Sequence, residues 1–375
     1  MSLIPTEEEA LLQQSARKFL DDKASVKAFR KLRDEASANG FDRGLWREMS
    51  EMGWAGVLVA EDRGGVGLGH RAAGVLAEEM GKTLVASPFL SSAVMAATAL
   101  GTAASSESAA LLPGISAGEI VVALAVDEGH KHDPAKTTLH AKPHGNGFRL
   151  NGEKSFVVDG HVADQLIVAA RTSAPPTGLT LFLVDPKKKG VEIERTAMVD
   201  GRNAARVRFD NVEANGDDIV GDIDGGWSIL ERALNAGRAA LSAELTGVAA
   251  GAFGITNQYL KDRTQFGRPI GAFQALQHRA AHLYCEIEVT ASAVANAGRE
   301  LDRDPGAAAG AVSLAKARAI ETARLAVSEG VQMHGGVGMT DEFDIGLYMK
   351  RARVGTEWLG DYAFHAERIA ELRGF

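Results

Sequence analysis

The sequence predicts an α+β protein with helical segments at both ends and a β-rich segment between them. Apolar residues recur with the helical period of about 3.6 up to roughly residue 118 and again after Gly225-Gly226. Between these regions, short β-branched runs alternate with Gly, Pro and Asp, which is typical of strands and turns. We therefore expect an all-α domain (1–119), an antiparallel β-barrel or sandwich (120–222) and a C-terminal four-helix bundle (223–375).

Composition limits the possible function classes. The chain has 375 residues, of which 45% are hydrophobic and 24% are charged, as in ordinary globular proteins. The net charge of −8, without a basic stripe, argues against a nucleic-acid partner. The single cysteine, Cys285, excludes an internal disulfide and a cysteine-rich metal site. We find no apolar run of transmembrane length and no signal peptide, so we expect a cytoplasmic protein without a membrane partner.

The first helix is predicted to begin at Thr6. Its hydroxyl is a suitable N-cap, and Glu7-Glu8-Glu9 puts acidic side chains in the first turn, where the helix dipole favours them. The apolar positions that follow keep a helical period: Leu11, Leu12, Ala16, Phe19 and Leu20.

The middle segment is predicted to hold short strands. Asn151-Gly152, between Phe148-Arg149-Leu150 and Phe156-Val157-Val158, is typical of a type I′ hairpin turn. Further strands are predicted at four places: Val121 to Val126, Leu166 to Ala170, Thr180 to Val184 and Val207 to Phe209.

The C-terminal segment is predicted to hold three long helices. They cover Trp227 to Tyr259, Phe273 to about Asp302 and Ala307 to His334. Asp304-Pro305-Gly306 separates the last two, and the alanine-rich composition favours close helix packing.

A break between the first two of these helices carries the most informative motif. Tyr259 to His278 reads Y-L-K-D-R-T-Q-F-G-R-P-I-G-A-F-Q-A-L-Q-H. Gly267 lets the backbone approach a ligand closely, and Arg263 and Arg268 offer multidentate recognition of phosphate. The motif indicates either an anion cradle or an interhelical turn with two solvated arginines.

This stretch resembles the signature of the acyl-CoA dehydrogenase family of flavoenzymes. Three more blocks resemble the family in the same order: Gly53 to Gly65, Asn151 to Lys154 and Gln332 to Gly338. The resemblance is closest to the small or partner subunits of heteromeric members that act on dicarboxylyl- or steroid side-chain-CoA thioesters. It implies the acyl-CoA dehydrogenase fold.

The resemblance also implies a reaction and a cofactor. In the family, a carboxylate removes the α-proton of an acyl-CoA, FAD accepts the β-hydride, and the electrons pass to an electron-transferring flavoprotein. The diphosphate and adenine half of FAD is held by residues of a neighbouring subunit. The matching positions here are Arg263, Phe266, Gln332, Gly335 and Gly336. For the last three, a plain turn at a helix C-terminus is the alternative interpretation.

The positions that would hold the chain's own flavin depart from the family pattern. Val126 to Asp133 stands where the family has T-E-P-x-A-G-S-D, and Phe156-Val157-Val158 replaces W-I-T. Phe156 can still pack on a flavin, but Val158 has no hydrogen-bonding group. His130, His132 and Asp133 lack further spaced ligands, so we predict a solvated loop and no metal site.

The catalytic carboxylate is missing from both positions that the family uses. Gly237, which precedes Arg238, and Leu359 occupy them, and neither can act as a base. Glu244 is a candidate substitute because it lies on nearly the same helix face as Gly237, about 10 Å further along the axis. Glu244 is otherwise interpreted as a buried carboxylate paired with an arginine. Glu357 and Asp361, on either side of Leu359, are further candidates.

The leading hypothesis is a subunit without its own catalytic Glu that contributes half of a FAD site. It would bind acyl-CoA within a homo- or hetero-tetramer that contains an acyl-CoA dehydrogenase homologue. Three alternatives remain: a self-sufficient homotetramer with a relocated base, a flavin-dependent monooxygenase on the same fold, and a flavin-free assembly scaffold.

Overall fold

The computed structural model describes residues 4–103, 106–174 and 178–375. Its N-terminal part is helical, with a π-helical segment at Phe89–Ala96. The α-helices are α1 (Glu7–Lys23), α2 (Val26–Asp34), α3 (Arg43–Glu51), α4 (Gly69–Thr83), α5 (Ala97–Ala103), α6 (Ser106–Ala109) and α7 (Leu112–Ser116). The predicted start of α1 is confirmed, since the Thr6 hydroxyl accepts a hydrogen bond from the Glu9 amide at 3.1 Å.

The middle part is one mixed sheet. Its strands are β1 (Val122–Ala125), β2 (His140–His144), β3 (Gly147–Val158), β4 (Gln165–Arg171), β5 (Leu179–Val184), β6 (Val191–Ala197), β7 (Asn203–Asn215) and β8 (Ile219–Val220). The order is β6-β7-β3-β2-β4-β5-β8, with β1 beside β4. The β-rich middle is confirmed, but β4 pairs in parallel with both β1 and β2, so the sheet is not purely antiparallel.

The predicted hairpin at Asn151-Gly152 is wrong. The chain passes straight through this dipeptide within β3, where Asn151 pairs with His140 of β2. Gly152 has φ of +143° and lies at a register shift against β7, which is a β-bulge. A side chain there would begin 2.9 Å from the Leu139 side chain, so glycine allows a close approach and not a turn. The tight turn is at Gly145-Asn146, between β2 and β3.

The C-terminal part is helical, as predicted. It holds α8 (Gly226–Asp262), α9 (Gln274–Arg303), α10 (Ala309–His334), α11 (Ile345–Gly355) and α12 (Tyr362–Leu372), with a short hairpin of β9 (Thr264–Gln265) and β10 (Arg268–Pro269). Within the described ranges, α8 is the one helix long and apolar enough to cross a bilayer, and 67% of its most apolar window is buried inside the protein. This burial is typical of a core helix.

The chain divides into two compact units. The first unit comprises the described residues up to Asp34, Gly74–Val85 and Arg238–Phe375, and the second comprises Glu35–Ala73 and Ala86–Gly237. The domain ranges given above, 1–119, 120–222 and 223–375, stay predictions. The second unit has its core on the sheet, with Leu150, Val168 and Phe182 fully buried.

In the first unit, the end of α4 packs backbone to backbone against α8. A side chain at Gly81 would begin 2.2 Å from the Glu244 carbonyl oxygen, and one at Gly247 would begin 1.9 Å from that of Glu78. Gly81 and Gly247 each face the backbone of the other helix, so α4 and α8 can approach more closely than any larger residue at these positions would permit. This contact fixes the middle of α8, and hence the position of the residues that follow it.

Candidate functional site

The Arg263 turn, residues 263–270, forms a short hairpin at the end of α8. The Arg263 amide donates to the Tyr259 carbonyl at 2.9 Å, and the Ile270 amide donates to the Arg263 carbonyl at 2.8 Å. Phe266 and Gly267 between the strands have φ of +53° and +74°. Two consecutive left-handed residues are typical of a type I′ turn, so the hairpin is ordered by its own backbone. Phe266 at its tip is 91% exposed.

The two arginines of this turn have different surroundings. The Arg268 guanidinium lies over the Phe273 ring, 4.2 Å from its centroid, and Phe266 meets the same ring edge-on at 6.1 Å. Arg263 is exposed. The predicted pair of solvated arginines is therefore one exposed guanidinium and one that packs on an aromatic ring. Both charges stay at the surface, where an anionic group can reach them.

The Gln332 turn, residues 332–336, lies at the end of α10. Gly335 caps the helix with φ of +64° and ψ of −143°, a conformation that suits glycine. Gln332, Gly335 and Gly336 are exposed. A side chain at either glycine would meet no atom within 4 Å, so the backbone is open to a ligand. All five predicted FAD residues of the first unit therefore present accessible groups.

The segment Val126 to Asp133, in the second unit, is bonded to its own surroundings. Both carboxylate oxygens of Asp127 lie 2.9 Å from Nδ1 of His132. Glu128 accepts hydrogen bonds from the Thr138 and Leu139 amides at 2.7 and 2.9 Å and from Nζ of Lys154 at 2.7 Å. These contacts hold Asp127, Glu128 and the buried His132, whereas Gly129 to Lys131 between them are exposed.

The Lys154–Glu128 pair shows how firmly this network is held. Lys154 is fully buried, and burial lowers its pKa although Glu128 opposes the shift. Burial also raises the pKa of Glu128, but Lys154 and the hydrogen bonds from Thr138 and Leu139 outweigh it, so the pKa is lowered overall. The two groups form an ion pair 2.7 Å long in which each is the other's partner. Their polar atoms are not free to hold a flavin.

Phe156 is a predicted flavin-binding residue of the second unit that remains accessible. It has φ of +52° and is 41% exposed, so its ring is accessible for stacking. Val158 presents no polar side-chain atom. Asp159, which follows, is buried and accepts a hydrogen bond from the Ser91 hydroxyl at 2.5 Å. Burial raises the pKa of Asp159 to about 6.

Leu359, predicted to stand where the family has a catalytic carboxylate, lies in a loop held by basic side chains. Leu359 is buried with φ of +59°, and its carbonyl accepts a hydrogen bond from Nε of Arg238 at 3.1 Å and lies 3.2 Å from Nε2 of His365. Nζ of Lys316 donates to the carbonyls of Gly355 at 3.0 Å and Gly360 at 3.2 Å. The loop is well fixed, but its central side chain can accept no proton.

Lys316 and His365 were missed at the sequence level. Lys316 lies among alanines in α10, and a lysine on the apolar face of a helix is the signal that would have found it. It is fully buried, and burial, with Arg238 nearby, lowers its pKa to about 7. His365 gives no such signal, because its contact depends on the fold of the loop.

The candidate substitute bases all have structural contacts. Glu244 forms an ion pair with buried Arg351 at 3.3 Å, and Arg351 also donates to the Leu84 carbonyl at 2.8 Å. Asp361 caps α12 by accepting from the Phe364 amide at 2.9 Å. Glu357, just after α11, pairs with Arg353 of that helix. The pairing of Glu244 with Arg351 agrees with the alternative interpretation, a carboxylate paired with an arginine. The roles of Glu244, Glu357 and Asp361 stay predictions.

Glu357 and Asp361 are nevertheless accessible from one side. They line a cavity of about 590 Å³ among α10, α11 and α12, together with Arg324, Arg353 and Tyr362. A proton could therefore be exchanged with solvent at either carboxylate. Among the described residues, no group of three or more His, Cys, Asp or Glu is placed to hold a metal ion.

Family models match the chain in three consecutive blocks. The acyl-CoA dehydrogenase N-terminal domain matches residues 6–119, the middle domain matches 125–212 and the C-terminal domain matches 224–372. Acyl-CoA dehydrogenase IpdE2 of Mycobacterium tuberculosis is 32% identical over 351 residues, which cover 93% of this chain and 92% of the relative. The chain belongs to the acyl-CoA dehydrogenase family.

Two solved structures show how far the similarity to other acyl-CoA dehydrogenases extends. A variant of the Tcur3481-Tcur3483 steroid ACAD is 34% identical, with a TM-score of 0.88 and 98% of both chains covered. The ChsE4-ChsE5 complex from Mycobacterium tuberculosis is 26% identical, with a TM-score of 0.90 and 100% of both chains covered. The predicted fold class is confirmed along the whole length.

Membership of the acyl-CoA dehydrogenase family also establishes the reaction class and the cofactor. Its members are FAD-dependent oxidoreductases that act on CH–CH bonds, and tetramers are typical of them. The Arg263 guanidinium and the Gln332 amide are exposed donors that fit the phosphate oxygens of FAD, and the backbone at Gly335 and Gly336 leaves room for them. In Val126 to Asp133, the side chains of Asp127, Glu128 and His132 are already bonded within the second unit, so they do not fit as flavin ligands.

Proposed function

We propose that this chain is a subunit of a heteromeric acyl-CoA dehydrogenase that contributes half of a FAD site to a homologous partner chain and has no catalytic carboxylate of its own. One contrast carries the proposal. The groups that would contact a neighbour's cofactor, from Arg263 to Gly336, are exposed and accessible, whereas Leu359 is a buried residue without a proton acceptor.

The reaction assigns separate tasks to the two chains. When bound, FAD accepts a hydride from the β-carbon of the acyl group. The α-proton must pass to a base within hydrogen-bonding reach, and neither Gly237 nor Leu359 provides one. The partner chain would therefore supply the carboxylate. In this chain, Arg263 would bind a phosphate, Gln332 would donate its amide, and Phe266 would cover the cofactor's apolar surface.

The substrate class is proposed from the relatives. One similar structure is named a steroid ACAD, and another is a complex of two named chains. We therefore expect an acyl-CoA thioester with a steroid side chain as substrate. An electron-transferring flavoprotein as electron acceptor and a cytoplasmic location stay predictions from the sequence.

A self-sufficient enzyme with Glu244 as base has less support. Its carboxylate pairs with Arg351, which also holds the Leu84 carbonyl. Freeing Glu244 for proton transfer would leave a buried guanidinium without its partner, which is costly.

The flavin content of the protein tests the proposal. We expect little FAD when the chain is purified alone and a stoichiometric amount when it is co-expressed with a homologous partner. Arg263→Ala should lower that FAD content, whereas Arg47→Ala, which removes an exposed arginine of α3 that pairs with Glu51, should not. The proposal is wrong if the chain alone has full dehydrogenase activity and the Glu244→Gln variant keeps it.

A further inference from the structure

An aromatic cluster joins the two turns that present the FAD-binding groups. The Tyr259 ring stacks on the His334 imidazole, with centroids 4.4 Å apart and planes inclined by 24°. Phe343 meets Tyr259 edge-on at 6.0 Å and His334 at 5.9 Å. The three rings therefore contact one another pairwise, which is favourable for aromatic side chains at these separations.

Each ring of the stack is attached directly to one of the turns. Tyr259 lies one helical turn before Arg263, and its carbonyl accepts the Arg263 amide at 2.9 Å. His334 lies between Gln332 and Gly335, and it is the last residue of α10. A shift of either ring would therefore move the turn beside it.

His334 is held in one orientation. It is buried, and its Nδ1 lies 2.7 Å from the Gly330 carbonyl. Because a carbonyl can only accept, Nδ1 carries the proton. A side chain at Gly338 would begin 2.9 Å from Cβ of His334, so the following turn also packs closely on this residue.

The helices that carry the stack also approach closely one turn earlier. A side chain at Gly330 would begin 3.0 Å from the hydroxyl oxygen of Thr256 and 2.5 Å from the Ile345 side chain. This contact limits sliding of α10 along α8. The aromatic stack is thus the last of two successive contacts, and it is the one nearest the exposed turns.

We infer that Tyr259 and His334 are positioning residues that set the separation of the Arg263 turn from the Gln332 turn, and so tune the affinity for the FAD diphosphate. The inference rests on the proposed function. The phosphates must meet Arg263 and the Gln332 turn together, so an error in their separation weakens both contacts at once. Neither ring needs to touch the cofactor.

The affinity of the co-expressed complex for FAD tests this role. FAD would be removed from the complex and titrated back, with the dissociation constant read from quenching of flavin fluorescence. We expect His334→Ala to raise the dissociation constant about three- to tenfold, the size expected when one aromatic pair is lost. His334→Phe should stay within about twofold of the wild type, because the stack is kept.

Two further variants separate positioning from general loss of stability. Thr322→Val removes the buried hydrogen bond between Thr290 and Thr322, 2.7 Å long, which joins α9 to α10 away from the turns. It should lower the melting temperature without changing the dissociation constant for FAD. Tyr259→Leu should weaken FAD binding as His334→Ala does, and the double variant should be no weaker than either alone.

The outcomes distinguish this inference from the function on which it rests. An unchanged dissociation constant in His334→Ala overturns the positioning role alone, and so does His334→Phe if it binds FAD as poorly as His334→Ala. If the wild-type complex takes up no FAD at all, the proposed function fails and the positioning role fails with it.

Discussion

At the residue scale, Lys316 makes the stability of this protein depend on pH. Burial lowers its pKa from the ordinary value of 10.5 to about 7. Between these values the unfolded chain binds the proton that the folded chain has released, so the stability contributed by Lys316 rises with pH across this window. Below about pH 7 the full cost of a buried ammonium group is present.

Lys316→Met isolates this effect. The variant loses the hydrogen bonds to the Gly355 and Gly360 carbonyls at every pH. This loss changes its free energy of unfolding by the same amount at each pH. We expect the free energy of unfolding of the wild type, relative to Lys316→Met, to increase steadily from pH 7 to pH 10 in urea titrations. A difference that does not vary with pH would show that the buried amine stays protonated.

At the element scale, the contact of α4 with α8 depends on glycine. Gly247→Ala would place a methyl group 1.9 Å from the Glu78 carbonyl oxygen, so the two helices must separate. We expect a loss of about 1–3 kcal/mol in the free energy of unfolding, as for other overpacked sites. Denaturant unfolding of the purified chain measures it.

Gly254→Ala on the same helix is the matched control. A side chain there would meet no atom within 4 Å, and alanine has the higher helix propensity. It should leave stability unchanged or raise it by up to about 1 kcal/mol. Equal losses in the two variants would contradict the close approach at Gly247.

At the scale of the whole molecule, the proposed function requires that this chain lacks both a catalytic base and a flavin of its own. Leu359→Glu would place a carboxylate at the position that the resemblance aligns with the family's catalytic Glu. Under the proposed function, the isolated variant should stay inactive with acyl-CoA and a ferrocenium acceptor, because the chain alone would hold no flavin. Circular dichroism would establish that the variant is folded. Dehydrogenase activity in this variant alone would mean that the chain holds its own FAD.

The helices and the family were predictable because their signals are local. The period of apolar residues predicted α8, α9 and α10, and the predicted bounds agree with the observed ones to within two residues except at the end of α8. The Thr6 cap predicted the start of α1. Four blocks in the right order and spacing, among them Arg263 to Gly267, identified the family from residue identity alone. The fold class required no knowledge of long-range contacts.

Strand pairing could not be read in the same way. Asn151-Gly152 carries a turn signal, yet its glycine lies at a β-bulge against β7, where it pairs with Phe209. Strand β6 was missed because most of its side chains are exposed or partly exposed, so its pattern lacks a strong apolar face. Sheet order and register depend on partners that a local window does not contain.

The sequence by itself determined the fold class and the family, and it predicts from the resemblance that Gly237 and Leu359 stand where a catalytic carboxylate would be, because each is a property of residue identity and spacing. Only the tertiary structure decided what surrounds those positions. It brought Arg238, Lys316 and His365 to one loop, paired Glu244 with Arg351, and stacked Tyr259 on His334. The longest of these contacts joins residues 121 positions apart. Burial and hydrogen bonding between such distant residues arise only when the chain has folded.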